Sequence, residues 1–252
     1  MPVDSKKPKP GIEAACLSDV GLHRADNEDS SLYWEPDSDD EFRRKGRLAI
    51  VADGMGGHRQ GGVASQMVID ALNALEPTAS LNATLQSVSE ALTRVNADLR
   101  RRALALAPDA ISGSTVVALF IRGGEWGVAW AGDSRAYRSR DGNLTPLTRD
   151  HSATFEPDET AIRAPGNTEI TRAVGVEEEF ELDQVSDLVA DGDRFLLCSD
   201  GLYDALDGAS IADIIAQGTP DEASHALIEA ARAAGARDNV TAVIVEARAE
   251  KT

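Results

Sequence analysis

Four aspartates stand beside glycines or turn residues at the edges of short apolar runs: Asp53, Asp133, Asp200 and Asp238. Asp53, for instance, follows the apolar run at 48–52 and precedes Gly54. Such runs are typical of β-strands, and a glycine turn lets the backbone pass close to a bound group. Carboxylates gathered at strand ends repel one another unless a cation compensates their charge. We therefore predict that the four converge on one cation-binding active site.

The donor chemistry indicates which cation would bind there. Magnesium and manganese are hard cations that take oxygen ligands and keep several waters, so a site of aspartates favours them. The histidines show no paired ligand spacing and the two cysteines lie far apart in the sequence, which argues against zinc. The glycine-rich stretch at 54–62 lacks the third glycine of a dinucleotide fingerprint, and no Gly-Lys-Ser/Thr follows it as in a P-loop.

Composition excludes several classes of partner. The 25 Lys and Arg residues against 43 Asp and Glu give a net charge of −18, which argues against binding to nucleic acid or anionic lipid. No run approaches the roughly 18 apolar residues of a membrane span, so we expect no membrane partner. Cys16 and Cys198 fall in apolar runs and are expected to be buried, reduced thiols, which favours the cytoplasm.

Nothing in the sequence divides the chain into two domains. We find no linker, low-complexity tract or internal repeat, and 42% hydrophobic residues suffice for one sizeable core. Residues 1–10 contain three lysines and three prolines and do not resemble a signal peptide. We therefore expect a flexible tail at 1–10 and a single domain at 11–248.

Hydrophobic periodicity predicts the elements that must position the aspartates. Strands are expected at 12–20, 30–34, 46–53, 115–121, 126–131, 135–139, 193–199 and 240–246. Helices are expected at 63–75 and 81–106, the second capped by Ser80. The order of strands and helices predicts an α+β layered sandwich rather than a doubly wound parallel sheet.

Local turn chemistry adds detail to this prediction. Asp141-Gly142 is a hairpin signal between two short strands. Thr219, Pro220 and Glu222 form a capping-box pattern that opens a helix to about residue 234. The stretch at 151–172 has no clear period and is interpreted as a surface flap next to the site.

Seven short motifs follow one another along the chain. They are Arg24–Asp29, Asp53–His58, Ser112–Thr115, Gly132–Arg135, Ile170–Gly175, Ser199–Asp204 and Asp238-Asn239. Their order and spacing resemble the metal-dependent serine/threonine phosphatases of the protein phosphatase 2C type, in their compact bacterial form. The resemblance runs from about residue 12 to 247. It implies an α-β-β-α sandwich of two packed antiparallel sheets flanked by helices.

The resemblance also implies roles for individual residues. Asp53 would bridge two manganese or magnesium ions, with the Gly54 carbonyl on one of them. The remaining implied metal residues are Asp200 and Asp238 as ligands of the other ion, Glu28 and Asp29 as holders of metal-bound waters, and Asp133 with Asp200 and Asp204 at a weaker third site. Arg24 resembles the phosphate-binding arginine of the family, while Asn239 and Thr115 occupy supporting positions.

These roles are chemically reasonable. Two cations about 4 Å apart lower the pKa of a bridging water and stabilise phosphoryl charge, and a guanidinium binds phosphate in a bidentate way. We expect direct attack of the bridging water without a phosphoenzyme. Eukaryotic members place a histidine two residues after the bridging aspartate, where this chain has Met55. His58 is expected to shape the turn, with a catalytic role as the alternative.

The sequence thus predicts a cytoplasmic serine/threonine protein phosphatase that acts on phosphorylated proteins, with an autophosphorylated cognate kinase among them and a monomer as the default. Two alternatives stay open: a non-catalytic phosphoprotein-binding or regulatory module on the same fold, and a two-metal phosphodiesterase. Arg135 and Arg172 follow turns and are interpreted as ion-pair partners of carboxylates rather than phosphate ligands. Trp126 and Trp130 are interpreted as packing residues.

Overall fold

The computed structural model describes residues 12–36, 45–56, 60–107, 110–152 and 170–247. The predicted tail at 1–10, His58 and most of the predicted flap lie outside these ranges. The strands are β1 (Ile12–Asp19), β2 (Asp29–Trp34), β3 (Arg47–Gly56), β4 (Ser112–Ser114), β5 (Val116–Arg122), β6 (Glu125–Ala131), β7 (Arg135–Arg140), β8 (Asn143–Pro146), β9 (Asp183–Leu188), β10 (Arg194–Cys198) and β11 (Val240–Ala247). The helices are α1 (Gln60–Asn73), α2 (Leu81–Leu106), α3 (Asp200–Ala205), α4 (Gly208–Ile215) and α5 (Pro220–Ala233).

The strands form two antiparallel sheets. The five-stranded sheet has the order β1-β11-β10-β7-β8, and the six-stranded sheet has the order β2-β3-β5-β6-β9 with β4 paired to β3. The β7–β8 hairpin turns at Asp141 and Gly142, both at positive φ, as the hairpin signal predicts.

The helices and the two sheets form four layers, and an apolar cluster lies between each pair of adjacent layers. Helices α1 and α2 pack on the outer face of the six-stranded sheet through residues such as Leu72 and Leu92. Helices α3, α4 and α5 cover the five-stranded sheet in the same way. Between the sheets, Trp126 contacts Phe195 with ring centroids 5.5 Å apart, and Trp130 lies in the same cluster. The α-β-β-α sandwich and the packing role of both tryptophans are confirmed.

The two helix caps predicted from sequence are present. The Ser80 hydroxyl accepts a hydrogen bond from the Ala83 backbone at the start of α2. At the start of α5, Thr219 accepts from the Glu222 backbone and Glu222 accepts from the Thr219 backbone, with Pro220 at the first helical position. Each cap satisfies amide donors that have no partner within the helix.

The prediction that Asp53 ends its strand is wrong. Strand β3 pairs with β5 as far as Val51, continues through Asp53 and then pairs with β4 from Gly54 to Gly56. Asp53 therefore lies within the strand, where the pairing of β3 changes from β5 to β4. The sequence pattern also missed β9, which is mostly polar, and the short helices α3 and α4, which are too short for a clear 3.6-residue period.

Both cysteines are reduced, as predicted. Cys198 is fully buried, whereas Cys16 is half-buried and donates to the Ser31 hydroxyl at 3.0 Å. Among the helices in the described ranges, none combines the length and the apolarity that a membrane span requires.

Candidate active site

Strands from both sheets bring the predicted acidic residues to one end of the sandwich. Asp53 on β3 is the register partner of Asp29 at the start of β2. Asp29 Oδ2 accepts hydrogen bonds from Ser199 (2.7 Å) and Thr241 (2.6 Å), which belong to the β10–α3 junction and to β11 of the other sheet. Asp29 therefore joins the two sheets at the point where the aspartates meet.

The aspartates are close enough to perturb each other's ionisation. Burial first, and then the charges of Asp29 and Asp200, raise the pKa of Asp53 well above its ordinary value. Burial, followed by the charges of Asp133, Asp238, Asp204 and Asp29, raises the pKa of Asp200 to about 8. Burial also raises the pKa of Asp29 to about 6, against the two hydroxyl donors that lower it. A bound cation lowers the electrostatic cost of holding like charges close together in a poorly solvated site.

Two carboxylate oxygens at this end of the sandwich are buried and accept no hydrogen bond from the described residues: Asp29 Oδ1 and Asp200 Oδ1. Buried polar atoms are nearly always satisfied, and an oxygen left without a donor is suited to a cation or its water. In the described ranges, no three His, Cys, Asp or Glu side chains close on one point as a finished ligand set. Since magnesium and manganese keep several waters, the residues fit hydrated hard cations.

The described part of the site also contains an exposed cation. Arg24 donates to Asp238 Oδ2 at 2.5 Å, and about half of its side chain is exposed. The hydrogen bond to Asp238 is the largest influence that raises the pKa of Arg24, and the charges of Asp53 and Asp200 act in the same direction. The guanidinium thus lies at the edge of the acidic cluster, where an anionic substrate would enter.

Asn239 fixes the loop that carries Arg24 and Glu28. Its Oδ1 accepts from the Glu28 backbone at 2.8 Å, while Nδ2 donates to the carbonyls of Val20 (2.9 Å) and Asp26 (3.1 Å). One buried amide thereby connects both ends of this loop to the start of β11.

Thr115 supports Asp53. The Thr115 hydroxyl accepts from the Asp53 amide at 2.9 Å, and the Thr115 amide donates to the Asp53 carbonyl at 2.9 Å. A side-chain oxygen therefore replaces a backbone acceptor where β3 changes its partner strand. The same hydroxyl lies 2.7 Å from Ser134 Oγ, so it also connects Asp53 to the turn that carries Asp133.

Gly54 must be glycine because α1 passes over it. A Cβ on Gly54 would lie 2.1 Å from the Gly61 carbonyl oxygen, and one on Gly61 would lie 2.6 Å from the Gly54 oxygen and 2.9 Å from Glu28 Cδ. The close approach brings the Gly54 backbone and the Glu28 carboxylate together beside Asp53.

Asp204 lies on α3, one turn after Asp200, and its charge contributes to the raised pKa of Asp200. Asp133 is 4% exposed in the turn between β6 and β7. Of the remaining candidates, Met55 is half-buried on β3, and His58 lies outside the described ranges.

Ion pairing of the two turn arginines is confirmed. Arg135 makes a bidentate pair with Asp150 (2.9 and 2.8 Å), and Arg172 pairs with Asp183 at 2.8 Å.

Sequence reasoning missed residues that hold the Asp133 turn. The Tyr203 hydroxyl donates to the Asp133 carbonyl at 2.8 Å. On either side of Asp133, the Gly132 amide donates to His151 Nδ1, and the Ser134 hydroxyl is hydrogen-bonded to Thr115. Tyr203 and Ser134 lie inside motifs that the sequence already displays, but no local pattern reveals which distant residue each contacts.

Comparison with known proteins gives a consistent result. The sequence model described as Protein phosphatase 2C matches residues 30–231. The serine/threonine protein phosphatase PstP of Mycobacterium tuberculosis is 37% identical over 93% of this chain, which spans only 45% of that protein's length. The serine/threonine phosphatase stp of Listeria innocua is 30% identical over 93% of this chain and 96% of its own length.

A solved structure agrees with these matches. The catalytic domain of PstP in complex with two manganese ions superposes with a TM-score of 0.78 at 35% identity, over 94% of this chain and 98% of that one.

Proposed function

This chain belongs to the protein phosphatase 2C family, and we propose that it is a metal-dependent serine/threonine protein phosphatase that hydrolyses phosphoserine and phosphothreonine in proteins. The observation that carries the proposal is the group of partly buried carboxylates with raised pKa values beside an exposed arginine. Crowded, partly buried carboxylates beside an exposed guanidinium are suited to a phosphoryl substrate and its metal ions.

In this proposal, Asp53, the Gly54 carbonyl, Asp200 and Asp238 hold two manganese or magnesium ions. Glu28 and Asp29 act through water, and Asp133 with Asp200 and Asp204 serves a weaker third position. When bound, the ions activate a water for in-line attack and offset the charge on the phosphoryl oxygens. The homologous PstP structure carries two manganese ions, which supports the dinuclear site.

The protein's own groups bind and orient the substrate. Arg24 pairs with Asp238 and, being half exposed, is placed to bind two oxygens of a phosphate dianion. Thr115 and Asn239 fix the backbones of Asp53 and Glu28, so the carboxylates stay oriented while substrate enters. Met55 has no proton to give, and we propose that a water at the site protonates the leaving serine or threonine oxygen.

The first test is hydrolysis of a phosphothreonine peptide with manganese and then with excess chelator. Wild type, Asp53→Asn and the exposed control Asp98→Asn are compared. Turnover that needs both the metal and Asp53, and that survives in the control, supports the phosphatase. Absence of turnover with manganese still bound would favour the non-catalytic module, and preference for a phosphodiester substrate would favour the phosphodiesterase.

The remaining proposals concern the cellular setting. We propose that an autophosphorylated serine/threonine kinase is among the substrates, that the protein acts in the cytoplasm, and that it works as a monomer formed by one domain at 11–248. Incubation with a co-encoded kinase tests the first point, and persistence of the phosphokinase would count against it. Fractionation, sedimentation and limited proteolysis test the others.

A further inference from the structure

The turn that carries Asp133 has an unusual backbone requirement at Gly132. Gly132 has a φ of 110°, and a Cβ there would lie 2.6 Å from Thr115 Cγ2. Only glycine fits both the conformation and the space. Asp133 follows directly, so the position of its carboxylate depends on the contacts that fix the Gly132 backbone.

His151 holds Gly132 at both of its backbone polar groups. The His151 amide donates to the Gly132 carbonyl at 3.0 Å, and the Gly132 amide donates to His151 Nδ1 at 3.2 Å. In the second contact, the imidazole nitrogen accepts the hydrogen bond that a backbone carbonyl would accept in a β-ladder.

The imidazole is itself held in one orientation and one tautomer. Since Nδ1 accepts a hydrogen bond, the ring proton is on Nε2, which lies 3.2 Å from Asp183 Oδ2 and 3.3 Å from Arg172 Nη1. With the proton on Nε2, the carboxylate is the partner of this nitrogen. Asp183 in turn accepts from Arg172 at 2.8 Å. The ring stacks on Trp130 with an interplanar angle of 9° and a centroid distance of 6.2 Å. Burial, the largest influence, lowers the pKa of His151, which favours the neutral ring.

We propose that His151 is a positioning residue that fixes the Asp133 turn and thereby strengthens cation binding at the third metal position. The proposal rests on the phosphatase function proposed above. Residues that orient metal ligands through one intervening contact typically change metal affinity by about 10–100-fold when they are replaced. His151 touches neither substrate nor reacting atoms in this assignment.

The segment that contains His151 has anchors other than the imidazole. Asp150 makes the bidentate pair with Arg135, and the Trp130 indole donates to the Arg149 carbonyl at 2.9 Å. The Ala136 amide donates to Thr148 Oγ1 at 3.1 Å. Loss of the ring should therefore leave the segment in place and remove mainly the hydrogen bond that the Gly132 amide donates. Thr148→Val removes one hydrogen bond from the same segment to strand β7, just after the Asp133 turn, and is the matched control.

The experiment counts bound manganese by electron paramagnetic resonance, which does not depend on turnover. His151→Phe keeps an aromatic ring against Trp130 but removes the acceptor, and His151→Asn keeps an acceptor near the position of Nδ1. We expect His151→Phe to raise the dissociation constant of the most weakly bound manganese ion by about 10-fold or more. His151→Asn should recover most of the lost affinity, and Thr148→Val should bind manganese as wild type does. His151→Gln places its amide near the position of Nε2 and replaces the Phe variant if that variant does not fold.

A double-variant cycle separates positioning from general destabilisation. If His151 acts through Asp133, adding His151→Phe to Asp133→Asn should weaken manganese binding no further. Equal losses in His151→Phe and Thr148→Val, or additive losses in the double variant, would overturn the assignment. If manganese binding depends on His151 in this way but the wild type hydrolyses no phosphopeptide, the positioning role stands and the proposed phosphatase activity is wrong.

Discussion

Two groups of buried or partly buried carboxylates in this protein have opposite surroundings. Toward the far end of the five-stranded sheet, Asp193 accepts from Arg140, and Glu246 pairs with Arg194, which also donates to three backbone carbonyls. At the end of the sandwich where the sheets meet, burial and the charges of neighbouring aspartates raise the pKa values of Asp29, Asp53 and Asp200. The same residue type is neutralised in one region and crowded in the other.

The difference indicates what each region contributes. Burial of a charge is costly, and an arginine partner with further hydrogen bonds offsets that cost within the fold. Within the described ranges, Asp29, Asp53 and Asp200 have no arginine partner, and Arg24 donates to Asp238. The fold therefore tolerates an electrostatic strain at one end, which a divalent cation would relieve. The paired region should govern stability, and the crowded region should govern activity.

The largest effect should come from Asp53→Asn. Loss of the proposed bridging carboxylate should lower phosphopeptide kcat by more than about 1000-fold, beyond the 10–100-fold typical of outer-shell partners. The same change removes a repelled carboxylate, so the chelated protein should have a higher Tm than chelated wild type. Peptide hydrolysis and thermal unfolding measure the two effects. A variant that keeps its activity would contradict the assignment of Asp53 as bridging ligand.

Arg194→Met should show the opposite pattern. It leaves Glu246 buried without its cation, which costs about 3–5 kcal/mol of unfolding free energy. Arg194 begins β10 and Asp200 follows the other end of that strand, so kcat should change less than about 2-fold. Denaturant unfolding and peptide hydrolysis test both parts.

Replacing both partners of this pair provides the control. The double variant Arg194→Met/Glu246→Met should recover most of the lost stability, because no uncompensated charge remains. If it is as unstable as the single variant, packing rather than charge compensation explains the loss.

The pH dependence of stability should differ with and without metal. The pKa of Asp200 rises from 3.8 to about 8 and that of Asp29 from 3.8 to about 6. The folded state therefore keeps protons that the unfolded chain has released, so stability falls as pH rises from about 4 toward 8.

In chelator, we expect the Tm to drop by at least about 5 °C between pH 5 and pH 8. Saturating manganese should flatten this slope, because the cation stabilises the ionised carboxylates. Differential scanning calorimetry across this range is the measurement, and parallel slopes with and without metal would show that the cluster is not where manganese binds.

The smallest effect should come from Arg101→Gln. Arg101 pairs with Asp98 at 2.6 Å on the surface of α2, where the arginine side chain is 75% exposed. Exposed pairs of this spacing contribute less than about 0.5 kcal/mol. Denaturant unfolding should barely distinguish this variant from wild type. A loss of stability comparable to that of Arg194→Met would mean that burial does not decide how much an ion pair contributes to the stability of this protein.

Much of the architecture could be predicted because it depends on local patterns. The Ser80 cap, the Thr219–Glu222 capping box and the long stripe of α2 each lie within one element, and the structure has all three. The layered sandwich followed from the order of elements and from the family resemblance. The mostly polar β9 and the short α3 and α4 escaped prediction because too few residues carry a period.

The sequence by itself determined the residue types of the site: aspartates at the edges of apolar runs, a glycine turn, and an arginine near the start of the chain. Only the tertiary structure decided which of them meet. Arg24 and Asp238 are separated by 214 residues, and Asp29 is held by hydroxyls 170 and 212 residues away. Such contacts depend on how two sheets pack and on their register, and no local pattern encodes either. The role inferred for His151 belongs to the same class, because a ring nitrogen that accepts from Gly132 is a property of the fold.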